Sequence, residues 1–163
     1  MSIYKDGFFT AELSDPHFLA AIRQKFIAVF DTLARNNSAG IVQNDANIIR
    51  LYHSDYRSLW VGAYDQLRQL PEIFELASCP ELLQIAKRAG IVAPVLGAKL
   101  VVRADMPDDE KWSFPPHQDY PFNRGSLNSI TIWIPFQDTP DNIAPLNVVP
   151  ASHNDGKRAS GKY

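Results

Sequence analysis

Residues 127–136 read LNSITIWIPF, and two chemical kinds of side chain alternate along this stretch. Within residues 129–134, the even positions carry isoleucine and the odd positions carry hydroxyl groups or tryptophan: Ile130, Ile132 and Ile134 against Ser129, Thr131 and Trp133. Successive side chains of a β-strand point to opposite faces of a sheet. The period of two therefore predicts a strand with one apolar face and one face that carries hydroxyl groups and a tryptophan.

Two further stretches in the second half of the sequence also have features of β-strands. From Ala98 onward, Leu100, Val102 and Ala104 alternate with Lys99, Val101 and Arg103. Residues 145–150, PLNVVP, are bounded by prolines, which suits an edge strand or the end of a strand. We therefore expect sheet-forming chain in the second half of the sequence.

The first half has apolar residues at helical spacing instead. Amphipathic helices are predicted over residues 15–36, 54–70 and 80–89. Asp15 and Pro16 make a cap and first turn for the first helix, and Gly90 is a left-handed cap for the third. Helices followed by strands predict an α+β fold, in which the helices pack on a sheet or an open barrel.

The composition indicates one domain without nucleic-acid or membrane partners. The 163 residues are 45% hydrophobic, and the formal charge of -2 comes from 16 basic and 18 acidic residues without long like-sign blocks. The apolar stretches are shorter than the roughly 18 residues of a membrane span. Cys79 is the only cysteine, and the start MSIYKDGFF lacks a secretory signal, so we expect a reducing, cytoplasmic setting.

A histidine and an aspartate two positions apart are the strongest chemical signal. Residues 114–122 read FPPHQDYPF, which contains His117 and Asp119. On a strand both would project from one face and could reach one metal ion. These ligand types suit Fe(II) in a site with two histidines and one carboxylate, which leaves positions open for a keto acid and oxygen. A surface turn whose aspartate merely accepts hydrogen bonds also explains the triplet.

The chain from His117 to His153 adds a tryptophan-containing strand and a PLNVVPASH turn to the HQD triplet, in that order. This order resembles the phytanoyl-CoA dioxygenase family of Fe(II)- and 2-oxoglutarate-dependent oxygenases, over roughly residues 97–153. The resemblance implies helices packed on a double-stranded β-helix, which is a cupin-like jelly roll. It implies a single domain over residues 1–163: a mainly helical part (1–92), jelly-roll strands with the metal motif (93–153) and a polar tail (154–163).

The resemblance also implies residue roles. His117 and Asp119 would bind iron, and Lys99, Gln118 and Trp133 would border the cosubstrate 2-oxoglutarate. Lys99 equally fits a solvated lysine on an edge strand, and a strand tryptophan is more often part of a core. The implied function is hydroxylation of a small-molecule substrate with release of succinate and CO2. The alternative is a noncatalytic or degenerate ligand-binding protein with an incomplete metal site, and a cupin-like isomerase or metal sensor is a third reading.

The family's second iron histidine and its 2-oxoglutarate-binding arginine have no candidate in the sequence. His153 fits a histidine that family members carry in a turn, and it is the fallback ligand. The jelly roll is thus expected to be incomplete in this chain. A longer protein, a second copy that supplies the missing wall, or a degenerate remnant would each explain this.

We favour the first explanation, which a mass measurement tests. An intact mass well above 18.3 kDa is expected for the native protein. A mass equal to that of the printed chain would contradict the hypothesis.

Overall fold

The computed structural model describes residues 2–54, 56–97, 100–107, 115–123, 125–143 and 145–156. The helices in these ranges are α1 (Ile3–Asp6), α2 (Pro16–Asn36), α3 (Asp45–His53), α4 (Arg57–Leu67), α5 (Pro71–Ser78), α6 (Pro80–Arg88) and α7 (Tyr120–Asn123). The described ranges also contain two short 3-10 helices, Asp141–Ile143 and Ser152–Asp155.

The described residues fall into two compact units. The helical unit takes its described residues from 15–79 and 98–112, and the motif unit takes its described residues from 1–14, 80–97 and 113–163. The prediction of a single domain stays a prediction.

The helical unit begins where the sequence predicts it. Asp15 caps α2 by accepting a hydrogen bond from the backbone N–H of Phe18 at 2.9 Å, and Pro16 is the first helical residue. α2 packs against α3 and α4, and α3 packs against α4. These three helices supply most of the buried residues of the unit.

Trp60 is the residue at which the three helices meet. Its ring stacks on Phe30 of α2 with centroids 4.9 Å apart and meets the edge of Tyr52 of α3, also at 4.9 Å. Trp60 is only 5% exposed. Burial of this one large side chain therefore fixes the relative positions of α2, α3 and α4.

Two helices of this unit were not predicted. Asn44 caps α3 by accepting from the N–H of Asn47 at 3.1 Å, a signal that the sequence analysis missed. The prediction ended a helix at Pro71, but Pro71 is the first residue of α5. Proline suits the first turn of a helix as well as the chain after a helix, so its position alone did not distinguish the two.

The predicted jelly roll, and with it the α+β class, is wrong. Strands are absent from the described ranges, and within the motif unit no backbone hydrogen bond between described residues joins the stretch 127–136 to the stretch 145–150. The described chain consists of helices with extended connections. Alternation in sequence reports which side chains face inward, but a sheet also needs a neighbouring strand, which the pattern does not specify.

The stretch after residue 99 shows this distinction directly. Val102 is 7% exposed and Val101 is 74% exposed, so the predicted alternation of faces is present at these positions. The chain packs on a helix instead of a strand. The Tyr64 hydroxyl of α4 donates to the carbonyl of Ala104 at 2.8 Å and accepts from its N–H at 2.7 Å. A side chain thus satisfies both backbone groups that a sheet would have paired.

In the stretch 127–136 the faces are not clearly sorted. Ile130 and Ile134 are half-buried, but Ile132 is 39% exposed and Leu127 is 85% exposed. The isoleucines therefore do not form the continuous buried face that a barrel wall requires.

In the motif unit, α6 ends as predicted. Gly90 has a φ of +89°, and the N–H of Ile91 donates to the carbonyl of Ala86 at 3.0 Å. At the other end of α6, the Glu81 carboxylate accepts from the N–H of Ser14 at 2.9 Å. This bond ties the chain before α2 to the first turn of α6.

The turn around His153 packs on the end of α1. The N–H of Ala151 donates to the carbonyl of Asp6 at 2.8 Å, and His153 Nε2 donates to the carbonyl of Tyr4 at 3.1 Å. Gly7 has a φ of +83°, and a Cβ there would lie 2.6 Å from His153 Nδ1. The close approach of the two turns therefore requires glycine at position 7.

Within the described part of the chain, no helix combines the length and the apolar character needed to cross a membrane.

Tyr64→Phe tests the attachment of the extended stretch to α4. Loss of the hydroxyl leaves both backbone groups of Ala104 without this partner and should lower the free energy of unfolding by about 1–2 kcal/mol. Burial raises the pKa of Tyr64 above its usual value of 10.0, although the hydrogen bond with Ala104 opposes this. The folded state therefore holds the phenolic proton more tightly than the unfolded state. The contribution is complete below pH 10 and is lost as the pH rises through the raised pKa.

Urea unfolding followed by circular dichroism at pH 7 and at about pH 11 would measure both effects. The difference between wild type and Tyr64→Phe should be largest at pH 7 and should shrink at the higher pH. Tyr56→Phe is the matched control, because the Tyr56 side chain is exposed. An equal difference at both pH values would contradict the pH prediction.

Candidate functional site

The two predicted metal ligands lie next to each other in space. His117 and Asp119 are on the short stretch that leads into α7, and the N–H of Phe122 donates to the carbonyl of Asp119 at 3.0 Å. His117 Nε2 is 3.3 Å from Asp119 Oδ1. The sequence analysis placed this pair on a strand, whereas the structure places it on irregular chain that bends into a helix. The two side chains are close together, and their role as metal ligands stays a prediction.

Neighbouring groups fix the orientation of the His117 ring. Its Nδ1 lies 2.9 Å from the carbonyl oxygen of Pro115. The His117 and Phe122 rings form a T-shaped pair, with centroids 5.7 Å apart and an angle of 89° between the ring planes. A carbonyl oxygen can only accept a hydrogen bond, so Nδ1 carries a proton. In the neutral ring, Nε2 then presents its lone pair toward Asp119. Histidines that bind metals are held by this type of hydrogen bond from the opposite ring nitrogen.

Thr131 holds the Asp119 carboxylate. The Thr131 hydroxyl donates a hydrogen bond to Oδ2, while Oδ1 faces His117. The sequence analysis put Thr131 on the polar face of residues 127–136 but did not assign it a role at the metal motif. The contact of Thr131 with Asp119 could be recognised only from the three-dimensional structure.

The spacing of the pair fits two ligands on one ion. Ligands with metal bonds of about 2.1 Å lie roughly 3.0–3.4 Å apart on the same ion, and the observed separation is 3.3 Å. A neutral imidazole nitrogen and a carboxylate oxygen are both electron-pair donors, so a proton or a cation between them is needed for attraction. Either an ion pair with protonated His117 or a bound metal ion satisfies this arrangement.

The pair is accessible, and it supplies two ligands. The side chains of His117 and Asp119 are 30% and 43% exposed. Among the described residues, no group of three or more histidine, cysteine, aspartate or glutamate side chains is arranged to hold a metal. His153, the fallback ligand, binds the carbonyl of Tyr4 through Nε2 and belongs to a turn.

The predicted neighbours of 2-oxoglutarate have different surroundings. The Gln118 amide donates to the carbonyl of Gly156 at 2.9 Å, which fastens the chain after the 3-10 helix Ser152–Asp155. Trp133 is 48% exposed and lies two residues from Thr131. Lys99 lies outside the described residues. The 2-oxoglutarate contacts of these three residues stay predictions.

No protein-family model, curated protein or solved structure matches this chain. The resemblance to the phytanoyl-CoA dioxygenase family therefore remains an expectation from the HQD, tryptophan and PASH elements.

The hydrogen bond to Pro115 predicts which ring nitrogen of His117 carries the proton. In nitrogen-15 NMR spectra recorded at alkaline pH, the neutral ring should be the Nδ1–H form, because only a donor can pair with the carbonyl. The His117 signals are identified by their loss in His117→Ala, and exposed His17 serves as the comparison ring. An Nε2–H form at His117 would show that Nε2 does not present a lone pair to Asp119.

Proposed function

We propose that this chain is an Fe(II)- and 2-oxoglutarate-dependent dioxygenase that hydroxylates a small-molecule substrate and releases succinate and CO2, in a cytoplasmic setting. The observation that carries the proposal is the approach of His117 Nε2 to Asp119 Oδ1 at 3.3 Å. Imidazole and carboxylate are the ligand types of non-haem Fe(II) oxygenases. The order of the HQD, tryptophan and PASH elements adds the expectation of 2-oxoglutarate as cosubstrate.

The residues around the pair have defined tasks in this proposal. The Pro115 carbonyl fixes the ring of His117, and Thr131 fixes the carboxylate of Asp119, so that both ligands are oriented before a metal ion binds. Iron held by His117 and Asp119 would supply oxygen activation coupled to decarboxylation of 2-oxoglutarate. The partial exposure of both ligands gives the cosubstrate and the substrate access to the pair.

A noncatalytic ligand-binding or metal-binding protein is the second candidate. The observation in its favour is that the described residues bring together two metal ligands and no larger group. Such a protein would bind a metal ion or a small ligand without forming succinate. The two candidates therefore differ in a measurable product.

An anaerobic Fe(II) titration in the presence of 2-oxoglutarate tests the proposed function. We expect a weak metal-to-ligand charge-transfer band in the visible spectrum of the wild-type protein, followed by succinate formation when oxygen is admitted. His117→Ala should abolish the band because it removes the nitrogen ligand. His17→Ala removes an exposed histidine of α2 and should leave the band unchanged.

The outcomes separate the two candidates. Metal binding without the band and without succinate would support the noncatalytic protein. The absence of any metal binding in the folded wild type would overturn both metal-based functions.

Thr131→Val tests whether the threonine prepares the carboxylate for metal binding. The substitution keeps the shape of the side chain and removes the hydroxyl that holds Asp119. We expect Fe(II) affinity to fall by about 10–100-fold. Thr32→Val is the matched control, because the Thr32 hydroxyl bonds a helix carbonyl at 2.8 Å. Equal affinities for the two variants would show that Thr131 does not act on the metal pair.

A further inference from the structure

We propose that a cavity at the meeting point of α1 and the last residue of α6 binds a small aromatic carboxylate, with Arg88 as the partner of the acid group. The cavity has a volume of about 210 Å3 and is lined by Ser2, Ile3, Tyr4, Phe9 and Arg88. All five residues belong to the motif unit. Neither a metal ion nor 2-oxoglutarate is needed at this cavity, so it is a site beyond the proposed function.

The Arg88 side chain is held by an aromatic ring. Its guanidinium carbon lies over the ring of Phe9, 5.1 Å from the ring centroid. This contact is an attraction between a positive charge and the π-electrons of the ring. The ring offers no acceptor oxygen, so the N–H donors of the guanidinium still need acceptors. A carboxylate suits them best, because its two oxygens accept two parallel hydrogen bonds from the guanidinium fork.

The positive charge of Arg88 has no structural use in the described part of the chain. No described carboxylate forms an ion pair with Arg88, and the side chain is exposed. The end of α6 is capped by backbone groups, since the N–H groups of Ile91 and Gly90 donate to the carbonyls of Ala86 and Lys87. The guanidinium therefore lines the cavity as a charge that a ligand can neutralise.

The other lining residues are held by contacts that involve no ligand. α1 has only four residues, and His153 fastens it by donating to the carbonyl of Tyr4. The Tyr4 hydroxyl lies against Gly90, where a Cβ would collide with it. The N–H of Ser14 donates to the Glu81 carboxylate at 2.9 Å, which ties the chain after α1 to the start of α6. A ligand would thus enter a cavity whose walls are already positioned, which lowers the entropic cost of binding.

The size and the lining of the cavity indicate the class of ligand. An apolar cavity of about 150 Å3 holds one benzene molecule. A volume of about 210 Å3 therefore accommodates one ring with a carboxylate attached. Phe9 and Ile3 supply apolar contacts for the ring, and the hydroxyls of Tyr4 and Ser2 add polar contacts near the acid group. Larger ligands are disfavoured, because drug-sized molecules occupy pockets of roughly 300 Å3 or more.

Benzoate added to the protein is the probe, and the carbon-13 NMR signals of the tyrosine rings report its position. We expect the Tyr4 signals, identified by their loss in Tyr4→Phe, to shift with half-saturation at roughly millimolar benzoate, as is usual for so small a ligand. The signals of exposed Tyr56, which belongs to the helical unit, should not move. Arg88→Gln should weaken benzoate binding by about tenfold or more, because it removes the charged donors.

Lys87→Gln is the matched control. It removes the same charge from the neighbouring position of α6, and Lys87 does not line the cavity. This variant should bind benzoate like the wild type. Arg88→Lys keeps the charge and should bind with intermediate affinity, because an ammonium group lacks the paired donors of the guanidinium fork. Circular dichroism confirms that each variant is folded.

The remaining outcomes would each overturn the proposed site. Equal benzoate affinities of Arg88→Gln and Lys87→Gln would show that Arg88 does not bind the acid group. Benzamide has nearly the shape of benzoate without its charge, so equal binding of the two would exclude recognition of a carboxylate. Inorganic phosphate that shifts the Tyr4 signals as effectively as benzoate would exclude a role of the apolar wall. Tyr4 signals that stay unchanged throughout the millimolar range of benzoate would exclude binding at this cavity.

Discussion

Extended chain that has no neighbouring strand must satisfy its backbone N–H and C=O groups in another way, and the described structure depends on this constraint. Tyr64 does so for Ala104 through one hydroxyl that both donates and accepts. Gln118 does so for the carbonyl of Gly156. At these two positions, side chains from elsewhere in the same unit thus pair with backbone groups that have no neighbouring strand.

The same constraint produces the chemistry of the HQD motif. The carbonyl of Pro115 obtains its hydrogen bond from His117 Nδ1, and this leaves Nε2 on the side of Asp119. Satisfying one backbone group therefore sets the tautomer and direction of the ring. The ligand pair is oriented by ordinary chain packing, without a barrel wall behind it.

Local signals in the sequence predicted local structure well. The cap at Asp15 and the left-handed Gly90 depend only on nearby residues, and both were predicted. The sheet was not predictable in this way, because strand pairing joins distant parts of the chain and alternation gives only the inward face. At the site, the prediction that His117 and Asp119 share one face assumed a strand, whereas the structure brings them together on irregular chain. The hydrogen bond from the Thr131 hydroxyl to the Asp119 carboxylate joins residues 12 positions apart, and no local pattern specifies it.

The contact between His153 and Tyr4 has a consequence for the order of events during synthesis. These residues are 149 positions apart, so α1 leaves the ribosome long before its partner turn exists. The contacts among α2, α3 and α4 span far shorter stretches of chain and can form earlier. The hydrogen bonds between α1 and the turn around His153 therefore form late. Until His153 has emerged, α1 lacks these hydrogen bonds, so the N-terminal helix stays unattached to this turn for most of the synthesis of the chain.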